Sequence, residues 1–199
     1  ESLGAIVTDA YPAANAVGAT PAGRPEDLEV HPGDGSVYIA FTSAAAAAGM
    51  WENIYGQIWR LEEDEGDVRS RRFRWTRFAA GGPADSAKTG HVFTQPDNLA
   101  FDKRGDLWVT SDIAGEVINQ REDYRVFKNS GVFRVPTSGA GRGAPGQFAS
   151  MPCEAEPTGP AFGPGEQALF LSVQHPGERS GTRTDPASAP RGSNWPHRI

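Results

Sequence analysis

The chain has few of the residues that cross-link small proteins through disulfides or structural metal ions. Among its 199 residues there is a single cysteine, Cys153. One cysteine excludes an internal disulfide framework, and no Cys/His cluster has the spacing of a structural zinc site. The fold must therefore be held by a hydrophobic core and backbone hydrogen bonds.

Long apolar runs and excess positive charge are also missing. No apolar segment approaches the roughly 20 residues of a membrane-spanning helix, and the first residues lack signal-peptide features, so we expect any export signal to lie upstream. Lys and Arg number 19 against 25 acidic residues, giving a net charge of -6. This balance argues against partners such as nucleic acid or anionic membranes and favours metal cations.

Several catalytic signatures are absent as well. There is no G-x-S-x-G elbow, glycine-rich phosphate loop or dinucleotide fingerprint, which disfavours serine hydrolysis and nucleotide binding. Turn residues, in contrast, are abundant, with 24 glycines and 16 prolines. Such a composition predicts turn-rich β structure rather than long helices.

One pattern recurs three times along the chain. It begins at Pro25 (PEDLEVHPGDGSVYIA), again at Pro96 (PDNLAFDKRGDLWVTSD), and more weakly at Pro157 (PTGPAFGPGEQALFLS). Each copy is a proline, a short apolar strand, a turn containing glycine and a second apolar strand, which predicts a hairpin. Glycine-led strands follow at Gly56 and Gly131, so the repeating unit has three or four strands.

Units of this size, 71 and 61 residues apart, are typical of β-propeller blades with loop insertions. We therefore predict an all-β chain forming a partial propeller of about three blades. The alternative is a single sandwich whose repeats are coincidental. Residues 1–23 are predicted to be a connector with a short helix, 24–176 the blades, and 177–199 an irregular segment; AAAAAGM at 44–50 is interpreted as a loop.

The blade entrances carry the candidate site. In a propeller the first strand of each blade is innermost, so the polar residues around each proline line one mouth of the channel. Carboxylates from separate blades repel each other unless a cation lies between them, and calcium prefers such oxygen ligands. We therefore predict metal ligands at Glu26 and Glu156, and with them Asp97 and Asn98.

Other interpretations of these residues stay open. Carboxylates at strand starts are often turn or capping groups bonded to backbone amides, and for Asp27 the alternative is a side chain that points away from the axis. His175 could reach the same face but, preceding a proline, is more typical of a loop. Cys153 could be a soft ligand but has no partner thiol or histidine nearby.

Several sequence stretches, taken in chain order, resemble those of a known protein family. RPEDLEVHP, YGQIWRLEED, QPDNLAFDKRGDLWVTSD, GVFRVPT and AEPTGPAF, in that order, resemble the PhoX-type alkaline phosphatases, secreted bacterial proteins. The resemblance implies a six-bladed propeller exported by the twin-arginine route, hydrolysing phosphate monoesters with an iron and calcium cofactor. In that family the acidic residues of the R-P-E and A-E-P-T-G motifs are metal ligands, here Glu26 and Glu156.

The resemblance covers the C-terminal half of the family. The family's metal-binding cysteine and further glutamates lie in an N-terminal motif that this chain does not contain, and Cys153 does not replace it. We therefore expect a fragment with part of the metal site, inactive alone, located in the periplasm or secreted, and able to dimerise through exposed edges. The alternatives are a calcium-dependent lactonase or esterase and a non-catalytic binding propeller; no general acid is nominated.

Overall fold

The computed structural model describes residues 3–43, 53–83, 92–179 and 193–196. Two short helices open it, α1 at Leu3–Thr8 and α2 at Ala10–Ala16, and neither buries a side chain. The predicted helix is α2, ended by Gly18 in a left-handed conformation, and α1 was not predicted. The predicted loop at 44–50 and most of the predicted irregular segment lie outside the described residues. None of the helices described is long or apolar enough to cross a membrane.

All remaining regular structure is antiparallel sheet, which confirms the all-β prediction. The first sheet follows chain order through four strands: β1 (Pro25–Val30), β2 (Val37–Phe41), β3 (Gln57–Glu63) and β4 (Phe73–Ala80). The second does the same: β5 (Pro96–Phe101), β6 (Leu107–Ser111), β7 (Gly131–Val135) and β8 (Gly146–Ser150). The third pairs β9 (Glu156–Phe162) with β10 (Leu169–Gln174). Beside the sheets, the described residues contain three short 3-10 turns between strands, at Asp64–Gly66, Glu122–Tyr124 and Pro164–Glu166.

These sheets are the three predicted blades. Each prolyl entrance pairs with the same position of the second strand: Pro25 with Phe41, Pro96 with Ser111 and Pro157 with Val173. The first strands β1, β5 and β9 are neighbours in space without sharing a ladder. A partial propeller with the first strand of each blade innermost follows from this arrangement. Strand β8 was missed because GQFAS alternates weakly and is mostly exposed.

Two of the core clusters in the described residues lie between blade faces. One face of the first blade packs its buried side chains, including Tyr38 and Ile58, on a face of the second blade that includes Leu99 and Val109. The opposite face of the second blade, around Trp108, packs on the third. The second blade is thus apolar on both faces, which is the packing that a propeller requires. A third cluster, around Tyr124 and Phe127, lies in the segment between β6 and β7.

The same aromatic contact recurs at both boundaries. Tyr38 meets Phe101 of the next blade edge-on, with ring centroids 5.2 Å apart. Trp108, the repeat equivalent of Tyr38, meets Phe162 edge-on at 5.4 Å. Edge-to-face pairs at this distance add to the free energy of area burial. The third member of the series, Phe170, is 63% exposed.

Each innermost strand also has an irregularity just inside its proline. In β1 the register shifts between Pro25 and Leu28, in β5 between Pro96 and Leu99, and in β9 opposite the step from Phe170 to Ser172. A bulge inserts one extra residue and re-aims the side chains around it. The acidic residues after Pro25 and Pro96 lie on these bulges.

Candidate metal centre

The entrance ends of the three blades form one polar surface. The residues before the first two prolines, Arg24 and Gln95, have left-handed backbones, with φ of 39° and 44°. At the same end, Glu154 and His175 have φ of 59° and 35°. Left-handed conformations in residues other than glycine store strain, and such strain clusters at functional sites. Four examples at one end single out this surface.

Asp97 lies at the centre of the surface and is 8% exposed. Burial first, and then the negative charges of Glu156, Asp112 and Glu26 together with a hydrogen bond to Glu156, raise the pKa of Asp97 to about 7. Desolvation and neighbouring carboxylates both disfavour the charged form of this carboxyl. The two predicted ligands of the second and third blades are therefore in contact.

Asp112 is a second carboxyl with a raised pKa in this place. Burial first, and then the negative charges of Glu156 and Glu26, raise its pKa to about 6 against the opposing charges of Arg24 and His175. Arg24 Nη2 lies 2.9 Å from Glu26 Oε1 and 3.8 Å from Asp112 Oδ2. The predicted pair Glu26 and Glu156 thus lies around the same two aspartates, as the propeller geometry requires.

Glu156 has polar neighbours from its own blade. It is 9% exposed, and its Oε2 accepts a hydrogen bond from Gln174 Nε2 at 3.0 Å and lies 3.2 Å from His175 Nε2. His175 Nδ1 is 3.7 Å from Glu178 Oε2. His175 therefore reaches the predicted face and contacts a candidate ligand directly.

The residues that follow the ligand positions bond to the next blade. Asp27 Oδ2 accepts a hydrogen bond from the backbone N–H of Leu99, and Asn98 Oδ1 accepts one from Gly159, both at 2.8 Å. The amide oxygen of Asn98 is thus engaged with backbone. A ligand role for Asn98 stays a prediction.

The donor set suits a hard cation, although it is not a finished coordination sphere. Glu26, Asp97, Asp112 and Glu156 offer eight carboxylate oxygens, the chemistry that calcium and oxidised iron prefer. Within the part of the chain that the structure describes, however, no three Asp, Glu, His or Cys side chains already stand at metal-holding distance. Cys153 is half-buried, and burial and Glu154 raise the pKa of its thiol, which disfavours a thiolate ligand.

Sequence reasoning missed Asp112. Glu26 and Glu156, both predicted as ligands at blade entrances, do not occupy equivalent positions, because Glu156 precedes its proline whereas Glu26 follows its own. The equivalents of Glu26 are Asp97 and Thr158. Asp112 follows Ser111, the partner of Pro96, so a hairpin register drawn from the repeat would have placed it at the entrance.

Comparison with known proteins identifies a family and a similar solved structure. The family described as alkaline phosphatase PhoX matches residues 1–177. A solved structure entitled "Pseudomonas fluorescens PhoX in complex with vanadate, a transition state analogue" matches 94% of this chain at 30% identity and a TM-score of 0.81. This chain spans 36% of that protein's length. A search of curated protein sequences finds no significant match.

Proposed function

The chain belongs to the PhoX alkaline phosphatase family, and from this premise we propose that it carries part of the active site of a metal-dependent phosphomonoesterase. The observation that supports the proposal is the convergence of Glu26, Asp97, Asp112 and Glu156 from three blades onto one surface. Buried carboxyls with raised pKa values are poised to bind cations and release protons.

The ligand assignment follows from chemistry and position. Glu26 and Glu156 would hold the metal ions, joined by Asp97 and Asp112 from the second blade. By family resemblance the ions are calcium and iron, both of which accept carboxylate oxygens. When bound, such ions neutralise charge on phosphate oxygens and activate an attacking oxygen.

Several residues of the chain have proposed roles that do not depend on a bound metal. Arg24 lies between Glu26 and Asp112, where its guanidinium holds these two carboxylates near each other. Gln174 and His175 both contact Glu156 Oε2, and this fixes the direction of the second oxygen of the same carboxylate. Together these contacts preorganise an anionic surface before any cation binds.

The proposed site is incomplete within these residues. The chain spans 36% of the matched structure, and the remaining ligands would come from the rest of a family-length protein. We therefore propose that the isolated chain has little or no phosphatase activity. The proposed substrate is a phosphate monoester, and the proposed location is the periplasm or the medium.

The test is an assay of the natural full-length protein on a chromogenic phosphate monoester. We expect hydrolysis that is lost in chelator and restored by calcium, and lost in Glu156→Gln. The surface variant Asp67→Asn, remote from the site in sequence and with its carboxylate paired with Arg69, serves as the control. Activity that persists in chelator after the metal has been shown to be removed contradicts the proposal.

A panel of lactones and carboxylic esters separates the alternatives. Turnover of these compounds without phosphatase activity would assign the chain to a lactonase-type propeller. Absence of both activities together with absence of bound metal would assign it to a non-catalytic binding protein.

A further inference from the structure

Two of the three innermost strands, β1 and β5, carry a second polar residue whose place the metal site does not explain. Asp27 follows Glu26, and Asn98 follows Asp97. Both occupy the bulged step of their strands. Because a bulge turns neighbouring side chains toward different targets, two adjacent polar residues there can serve two different purposes.

The backbone of the bulge provides a reason for these residues. β1, β5 and β9 belong to separate sheets, so a backbone N–H of an innermost strand that faces the preceding blade has no ladder partner. Leu99 N–H and Gly159 N–H are in this position, and the preceding blade supplies an acceptor to each, Asp27 and Asn98 respectively. Leu99 is 3% exposed, so loss of Asp27 would leave its N–H as a buried donor without an acceptor and destabilise the fold. Gly159 is exposed, and water can replace the acceptor of its N–H.

The two bonds repeat from one boundary to the next. Both have a length of 2.8 Å, and both cross from the residue after a candidate ligand to the innermost strand of the following blade. Asp27 in addition accepts the N–H of Leu28 with its other oxygen, Oδ1, at 2.8 Å. With both of its oxygens used by backbone donors, Asp27 is a structural acceptor.

We propose that Asp27 and Asn98 are positioning residues, whose interblade hydrogen bonds hold the carboxylates of adjacent blades at a fixed separation. The Asp27 bond holds Glu26 relative to Asp97, and the Asn98 bond holds Asp97 relative to Glu156. The assignment rests on the proposed metal site and places Asn98 outside the ligand set. It also explains why the position accepts either an acid or an amide, since only one acceptor oxygen is required.

The first test uses the natural full-length protein freed of metal by chelator. Without a cation, ligand carboxylates repel each other, so Glu26→Gln should leave the melting temperature unchanged or raise it. Asp27→Ala should lower it by several degrees, because the N–H of the buried Leu99 loses its acceptor. Asn98→Ala should lower it by less, because Gly159 is exposed and water can replace the acceptor. Alanine variants that melt like the wild type would overturn the proposal.

The second test is a calcium titration of the same variants, followed by elemental analysis. We expect about a tenfold weaker half-saturation for the two alanine variants, with the number of ions bound at saturation unchanged, which corresponds to about 1.4 kcal/mol. Asp27→Asn keeps an acceptor oxygen and should remain within about threefold of the wild type. A lost ion would make the residue a ligand and refute the assignment.

The outcomes are separable from those of the proposed function. If the wild type binds no calcium, the proposed metal site is refuted. The melting temperatures still decide whether the interblade hydrogen bonds stabilise the fold. If the alanine variants do not fold, Asp27→Asn decides alone. Loss of calcium affinity by tenfold or more in this variant would show that the charge matters rather than the acceptor, contrary to the proposal.

Discussion

The carboxyl of Asp97 hydrogen-bonds to the carboxylate of Glu156 across the boundary between the second and third blades. The first residue lies on the bulge of β5 and the second opens β9, so 59 positions of sequence separate them. Two carboxyls in contact share a proton readily, since both cannot be ionised without a cation between them. This relationship makes the stability of the metal-free protein depend on pH.

We predict that the metal-free protein loses stability as the pH rises from about 4 to about 7. The folded-state pKa of Asp97 is about 7 and that of Asp112 about 6, both above the value of about 3.9 for an unfolded aspartate. Between these values the folded state binds more protons than the unfolded state, so the free energy of unfolding falls with rising pH. Denaturant unfolding in chelator at several pH values measures it.

Two further experiments test whether these aspartates cause the fall of the unfolding free energy with rising pH. Asp97→Asn removes one of the titrating groups and should flatten the decline, whereas the surface variant Asp67→Asn should keep it. Saturating calcium should also reduce the decline, because a bound cation stabilises the ionised carboxylates. A slope that Asp97→Asn does not change would contradict the assignment.

Asp112 is expected to matter as much as the ligands that the sequence suggested. Asp112→Asn removes a carboxylate that faces Glu26 and Glu156, and loss of a ligand or its near neighbour typically costs about 10- to 100-fold in metal affinity. The measurement is calcium affinity and phosphatase activity of the full-length protein. Asp123→Asn, which affects only an exposed pair with Arg121, is the matched control.

The fold was more predictable than the site because the repeat can be recognised directly in the sequence. Proline entrances, glycine turns and apolar alternation gave β1, β2, β5, β6, β9 and β10 directly. Face contacts such as that between Tyr38 and Phe101 could not be predicted, because periodicity says which side of a strand is apolar but not which blade covers it.

The site was only partly predictable for a different reason. Glu26, Asp97 and Glu156 adjoin prolines and so were predicted from the sequence pattern. Asp112, in contrast, reaches them because β6 returns antiparallel to β5. The interblade bonds of Asp27 and Asn98 depend on bulges, and a one-residue register shift leaves no mark in the sequence. Local patterns therefore located the site, while tertiary register decided the roles within it.

Gly56 is predicted to be one of the least replaceable glycines at this end of the molecule. Its φ is +76°, and an added Cβ would lie 2.5 Å from Pro96 Cδ and 2.7 Å from the Phe41 carbonyl oxygen. Gly56→Ala should therefore combine left-handed strain of about 1–2 kcal/mol with a backbone clash. Gly35, with φ of +73° and no atom within 4 Å of such a Cβ, is the control with strain alone. Equal losses in chemical denaturation would argue against close packing at Gly56.

The first blade has one face that nothing in the described chain covers. Leu28 and Val30 are 59% and 54% exposed, although their repeat equivalents in the second blade, Leu99 and Phe101, pack against the first blade. Free apolar faces of this kind mark interaction surfaces. The occupant we propose is a further blade of a family-length protein, presenting an aromatic residue to Val30 as Tyr38 does to Phe101.

This proposal predicts that one substitution has different costs in two lengths of the protein. Leu28→Ser should cost less than about 0.5 kcal/mol in these 199 residues alone, as is usual for an exposed site, and about 2 kcal/mol in the full-length protein, where burial of the leucine side chain is lost. Leu99→Ser, already 3% exposed here, should be strongly destabilising in both. Equal and small costs of Leu28→Ser at both lengths, measured by chemical denaturation, would mean that this face stays open in the whole protein.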